Sequence, residues 1–349
     1  MNAPLRPIGL RATYRRDLVL MALLVAAFAT IPLWADGGLR FLAGVALVQI
    51  VFALSFNVIF GLAGLVSFGH AAYFAAGAYT AGLLLQKGIP IPLPLILVIG
   101  ALVGGVLALF VAALALRRSS GNYFAILTLA LAELLHIVIS KSTVLGREDG
   151  LTGLKPPRLD LGVTTVDLSQ GHALYFLLLV VTLVAGSCAW LLWNGPIGRR
   201  LAATRLEPDR AAFLGINVHR ARMQAFALSG VGAGLAGAMY APLAQILTPE
   251  VAHWSFSALP ILFCLLGGAA SFWGPVAGVV VFLGVEHATR TVVGLSEIMI
   301  GVTLLTVVLV FPGGLAGGVQ RLVHSLGAPR RVPPAGAAAA TGAEGKAQA

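Results

Sequence analysis

Residues 93–116 read LPLILVIGALVGGVLALFVAALAL, and Arg117 and Arg118 follow at once. A helix over this run, at 1.5 Å per residue, is roughly 36 Å long and exceeds the ~30 Å hydrocarbon core of a bilayer. Such a helix satisfies its own backbone groups in lipid, and the arginine pair marks where it meets a membrane surface. The same pattern recurs along the chain. Apolar runs at 18–35, 41–60, 62–85, 93–116, 122–140, 173–193, 223–244, 256–273, 275–294 and 297–311 predict about ten transmembrane helices.

Composition agrees. Of 349 residues, 58% are hydrophobic and 10% charged, and mean hydropathy is +0.94. Soluble domains carry about a quarter charged residues, so a soluble enzyme is excluded, as is a disordered chain. The unbroken runs exclude a transmembrane β-barrel, whose strands alternate apolar and polar over about ten residues. An all-α polytopic membrane protein remains, and the 42 glycines and 18 prolines fit it. In a soluble protein the net charge of +10 would point to nucleic acid. Here the expected partner is the lipid bilayer, and the placement of the charge says more than its size. Cys188 and Cys264 both fall inside apolar runs, where core packing is expected and a disulfide is not.

With the N-terminus inside, ten spans put 16 of the 23 basic residues on the inner face, in the N-tail, at 117–118, in 194–222 and in the C-tail. Four acids join them, leaving that face at +12 and the outer face neutral. The positive-inside rule therefore predicts that both termini are cytoplasmic. The domains are a cytoplasmic N-tail (1–17), a membrane domain (18–318) with an outer loop (141–172) and an inner loop (194–222), and a cytoplasmic C-tail (319–349). The tail's Pro/Ala/Gly-rich part, 328–349, has no apolar period and is expected to be disordered. The first run has the length of a signal peptide, but no clean small-residue cleavage site follows it. Pro32-Leu33-Trp34 reads as an interfacial anchor, so a retained helix is expected.

The inner loop carries the clearest local signal. Pro208 suits a first helical position, Asp209 a first turn and Gly215 the residue after a helix end, so a short helix is expected at about 208–214. Its Ala211-Ala212-Phe213-Leu214 stretch is apolar enough to dock into a partner's groove, and the same loop also serves to fix topology. No Gly-x₄-Gly-Lys-Ser/Thr is present, so the chain is expected not to be an enzyme that hydrolyses ATP itself. No cysteine–histidine spacing suggests a metal, and no cofactor is expected.

Inside the spans, Glu133 and His136 share one helix face. They read either as a polar lining of a pathway, as a proton-coupled carrier would use, or as a pair that satisfies itself between helices. Glu286 and His287 lie nearer the outer end, where reaching the headgroups is easy. Gly61, Gly64 and Gly69 could break a helix beside Ser67 and His70 and expose backbone to a cavity, which membranes allow only where protein lines it. Close helix packing is the other reading. Gly100/Gly104, Gly230/Gly234 and Gly274/Gly278 read as packing pairs.

Residues 56–74, FNVIFGLAGLVSFGHAAYF, carry a specific resemblance, with Gly77-Ala78-Tyr79 beyond them. So do Tyr123–Ala130, the inner loop ending Leu214-Gly215-Ile216-Asn217-Val218, Leu266-Gly267-Gly268 with Trp273–Gly278, and Phe311–Leu315. Over roughly 40–318 the chain resembles the LivM-type permease of bacterial branched-chain amino acid ABC importers. It departs from the family's frequent Gly-Gly-x-Asp-Gly-Leu at Gly146-Arg147-Glu148-Asp149-Gly150-Leu151. The resemblance implies a fold similar to the ribose and vitamin B12 importer permeases, in the bacterial inner membrane. The implied partners are a second permease of the LivH type, two cytoplasmic ATPases that bind the ATP, and a periplasmic substrate-binding protein. It implies coupling to the ATPases through Glu207, Asp209, Arg210, Ala211, Ala212, Phe213, Leu214 and Gly215. Pathway candidates are Asn57, Ser67, Phe68, Gly69, His70, Tyr73, Tyr79, Asn122, Tyr123, Thr128 and Glu133. Related permeases carry urea and short amides. A proton-coupled secondary transporter and a channel are the rivals from other classes.

Overall fold

The computed structural model describes residues 10–118, 122–155, 158–160, 165–168, 172–289, 295–310 and 313–318. Among them, six helices are long and apolar enough to cross a membrane, over 15–34, 37–62, 93–116, 123–141, 173–194 and 218–244. Shorter apolar helices cover Trp254–Gly267, Gly274–Thr289 and Ile298–Val307. The protein is an all-α polytopic membrane protein. The C-tail, Arg6 and the basic residues of 321–346 lie outside the described residues.

In chain order the helices are α1 (Leu10–Trp34), α2 (Gly37–Asn57), α3 (His70–Gln86), α4 (Leu93–Arg118), α5 (Asn122–Lys141) and α6 (Ala173–Asn194). Two helices of the inner loop follow, α7 (Pro196–Leu206) and α8 (Pro208–Phe213), then α9 (Val218–Ala244), α10 (Trp254–Gly267), α11 (Gly274–Thr289) and α12 (Leu295–Val310). Asp36 caps α2 by accepting the Leu39 N–H at 2.8 Å, and Asn217 caps α9 through the Arg220 N–H at 2.9 Å.

The core forms around α9, which packs on α2, α3 and α4. Small residues make this possible. A Cβ on Gly104 would lie 2.6 Å from the Gly234 Cα, and one on Gly234 would lie 2.6 Å from the Gly100 carbonyl oxygen. The backbones of α4 and α9 therefore touch, and any side chain at these positions would part them. At one corner the carboxylate of Asp17 accepts the indole N–H of Trp190 from α6 (3.2 Å) and of Trp273 from the α10–α11 turn (3.1 Å). This clasp ties the otherwise exposed α1 to the bundle.

Several expectations are corrected. The inner loop is mostly helical: α7 fills 196–206, and α9 starts at Val218, so Arg220 and Arg222 sit on a membrane helix. Pro196 at the first position of α7 gives its start. The runs expected at 41–60 and 62–85 do not abut; residues 63–69 between them are not helical. Short strands form in the 141–172 loop. Strand β1 (Leu151–Thr152) pairs antiparallel with β4 (Ile246–Leu247), and β2 (Arg158–Asp160) with β3 (Thr165–Asp167). Cys264 is buried, but Cys188 is exposed on α6 and is not a core residue. Leu33 and Trp34 end α1 exposed, while Pro32 is buried.

Candidate functional site

The helical pattern of the interior breaks between α2 and α3. After Asn57 the helix widens into a π-turn over Val58–Leu62, in which Ala63 N–H donates to the Val58 carbonyl (3.3 Å). Leu65 N–H then reaches the Ile59 carbonyl at 2.9 Å. Gly64 takes a φ of +70°, a conformation that side chains disfavour, and the chain stays non-helical up to α3. Turns of this kind mark places where a helix gives up regularity for another purpose. A Cβ on Gly69 would lie 2.6 Å from the Thr128 carbonyl oxygen, so the break is pressed directly onto α5.

A buried polar seam forms around the break. Ser55 Oγ donates to the Phe52 carbonyl at 2.7 Å and lies 3.0 Å from His70 Nε2. Its single proton is thereby used, so His70 donates from Nε2 and leaves Nδ1 as an acceptor without a partner among the described residues. The His70 ring stacks on Phe52 (5.1 Å) and meets Phe56 and Tyr73 edge-on. Ser229 of α9 donates to the Ser55 carbonyl at 2.7 Å, and Ser257 of α10 accepts the Ala71 N–H at 2.8 Å. Thr128 of α5 accepts the Phe68 N–H at 3.3 Å, and Ser67 accepts the Gly69 N–H at 3.3 Å. Five helices (α2, α3, α5, α9 and α10) are thus joined by hydrogen bonds at one place in an apolar interior. There each unmade bond would cost about 1–3 kcal/mol.

The expected pathway residues divide. Ser67, Gly69, His70, Tyr73 and Thr128 converge on the seam and are buried, with Phe68 half-buried beside them. Asn57 is separate: at the π-turn its Nδ2 donates to the Ser271 carbonyl at 3.3 Å. Tyr79 is buried further along α3, and Tyr123 faces outward at 77% exposure. Asn122 opens α5, and its side chain lies outside the described residues. Glu133 and His136 are not bonded to each other. His136 Nδ1 donates to the Pro249 carbonyl at 3.1 Å and its ring packs on His253, whereas Glu133 Oε2 is buried with no partner among the described residues. The reading of a self-satisfied pair is therefore replaced by a histidine that pins the 249–253 segment to α5. Ser55, Ser229 and Ser257 went unnoticed in the sequence. Each is a lone hydroxyl in an apolar run, and no spacing relates them.

The 194–217 loop is built outward from α7, whose Leu201 and Thr204 are buried. Glu207, extended at φ −149°, makes the corner into α8 and accepts Arg210 in a 2.8 Å ion pair. Helix α8 ends in a paired cap. Gly215 N–H donates to the Ala212 carbonyl (2.9 Å) and Ile216 N–H to the Ala211 carbonyl (3.0 Å), with Gly215 at φ +81°. Ala211 is buried while Phe213 and Leu214 are 92% and 81% exposed. Asp209, Arg210 and Ala212 are exposed around them. A six-residue helix is thus held rigidly at both ends and presents a large apolar tip.

A cavity of about 440 Å³ between α2, α4, α6 and α9 reaches the seam at Ser55. Its other walls, including Val51, Leu97, Val184 and Leu235, are apolar. It holds no charged group for a zwitterion, so it suits an acyl chain better than an amino acid. Among the described residues no cluster of metal-ligating side chains converges.

Residues 38–310 match the family described as the permease component of the branched-chain amino acid transport system. The chain is 28% identical to the high-affinity branched-chain amino acid transport permease LivM of Salmonella typhimurium over 87% of its own length and 76% of the relative's. It is 27% identical, with the same coverage, to LivM of Escherichia coli. A probable LivH permease of Methanocaldococcus jannaschii is 29% identical over 57% of this chain and 64% of its own. No solved structure gives a significant match. With a polytopic helical fold, a broken second helix and a family match over most of its length, the chain belongs to the permease components of branched-chain amino acid transport systems.

Proposed function

We propose that this chain is one of two membrane permeases of an ABC importer that carries branched-chain or similarly small amino acids into a bacterial cell through the inner membrane. In this reading α1–α6 and α9–α12 supply ten spans with both termini cytoplasmic. A LivH-type permease pairs with it, a periplasmic protein delivers the substrate, and two ATPases bind the inner face. Binding and hydrolysis of ATP in those subunits move α8, and the motion opens the bundle alternately to either side. The observation that carries the reading is the apolar tip of α8. Two large hydrophobic side chains are held in water by a rigid, capped helix, and burying both is worth about 3–6 kcal/mol to a partner.

The test is Phe213→Asp, with Ala212→Asp beside it, in a strain that carries the partner genes. Both variants should insert normally, fail to co-purify with the ATPases and lose uptake. Uptake equal to wild type would remove α8 from the coupling role. The buried Glu133 Oε2, without a partner among the described residues, favours one rival, a proton-coupled carrier. That rival requires uptake by this chain alone and its loss in Glu133→Gln; ATP-driven uptake only in the complex rejects it.

A further inference from the structure

We infer that Arg205 is the positioning residue that transmits motion of the cytoplasmic loop to the break between α2 and α3. This rests on the reading of α8 as the contact for the ATPases. Arg205 lies in the last turn of α7, two residues before the Glu207 corner. Its guanidinium donates to the Gly61 carbonyl, a group that the π-turn leaves at the end of α2. A cation at a helix C-terminus is placed where the dipole favours it. The Arg205 stem also covers Gly64: a Cβ there would lie 2.7 Å from Arg205 Cγ. One side chain of the inner loop therefore grips the break at two of its three glycines, Gly61 and Gly64.

The neighbouring cations do something else. Arg199 donates to Asn194 within the loop (2.9 Å), and Arg210 pairs with Glu207. Both stay local, whereas Arg205 reaches 144 residues back along the chain. From Gly64 the route continues through Ser67 and Gly69 to Thr128, and through His70 to Ser55 and Ala71 to Ser257. A stretch with a π-turn, a φ > 0 glycine and a non-helical run over 63–69 can absorb backbone rotation, and stiff helices flank it on both sides. Coupling between sites requires such an element with two arrangements that both sites bias. In this structure the element is 58–69, and Arg205 is the handle on it.

The experiment uses the complete importer in proteoliposomes, with wild type, Arg205→Ala, Arg205→Lys and Arg199→Ala. Uptake and ATP hydrolysis are measured on the same preparations, with and without substrate-loaded binding protein. Arg205→Ala should assemble and keep basal ATP hydrolysis, lose stimulation by the loaded binding protein and lose uptake by about tenfold or more. Arg205→Lys, which restores a cation at the Gly61 carbonyl, should recover part of both; it carries the test alone if the alanine variant does not accumulate. Arg199→Ala removes the same charge from the same loop and should behave as wild type. Uptake and stimulation at wild-type levels in Arg205→Ala, or no better than alanine in a well-assembled Arg205→Lys, overturn the inference and leave the importer reading intact. A wild-type complex that shows no ATP-dependent uptake overturns both.

Discussion

Glycine does opposite work in two neighbouring regions of this bundle. In the α4–α9 contact, Gly100, Gly104, Gly230 and Gly234 are ordinary helical residues whose missing side chains let two backbones meet. Between α2 and α3, Gly61, Gly64 and Gly69 interrupt the helix and bring backbone groups to Arg205 and Thr128. The first set is spaced by four on continuous helices. The second is irregularly spaced and lies among Asn57, Ser67 and His70. Lipid gives no hydrophobic drive for helix association, so close backbone contact must supply it. Irregular backbone is tolerated at membrane depth only where protein satisfies it. The two regions are these two rules side by side.

The largest effect is expected from Gly104→Leu. The new Cβ would sit 2.6 Å from the Gly234 Cα and 2.7 Å from the Gly230 carbonyl oxygen, and both are backbone atoms that have no rotamer to change. Overpacking of this kind costs about 3 kcal/mol or more. Thermal melting in detergent should show a large fall in Tm, or the protein should fail to accumulate. A near-normal Tm would mean that α4 and α9 are not in backbone contact, and the contrast drawn here would collapse.

Gly64→Ala comes next and separates the two roles. Its φ of +70° costs a side-chain-bearing residue about 1–2 kcal/mol. The methyl would also push Arg205 off the break. Stability should fall less than in Gly104→Leu, while uptake, measured against protein amount, should fall more than stability explains. Equal losses in both would make the break a packing feature like the other.

Much of this was legible in the sequence because bilayer physics writes on long windows. The apolar runs mark the helices, the arginines mark the inner loop, and Pro208 with Gly215 bracket α8 to within a residue. Other features rest on single contacts between distant residues. Gly61, Gly64 and Gly69 admitted either a break or packing, and only their distances from Arg205 and Thr128 decide the matter. Arg205 was one basic residue among many; nothing local separates it from Arg199. The helix α7 was hidden because its arginines and short length resemble a topogenic loop, and its register is set by burial of Leu201 and Thr204 against the bundle. The hydroxyls of Ser55, Ser229 and Ser257 meet only in three dimensions.

The smallest effect sharpens the comparison most. Gly284 lies on an outward face of α11, where an added Cβ meets no atom within 4 Å and φ is not positive. It belongs to neither class: it closes no contact and breaks no helix. Gly284→Ala should therefore leave uptake unchanged and, by restricting the unfolded chain and favouring the helix, stabilise by up to about 1 kcal/mol. The purified chain and the assembled complex should be measured separately by thermal melting. A gain in the isolated chain with a loss in the complex would mean that another subunit packs its backbone against α11, so that Gly284 is a packing glycine whose partner lies on a different chain. A gain in both would assign this face to lipid.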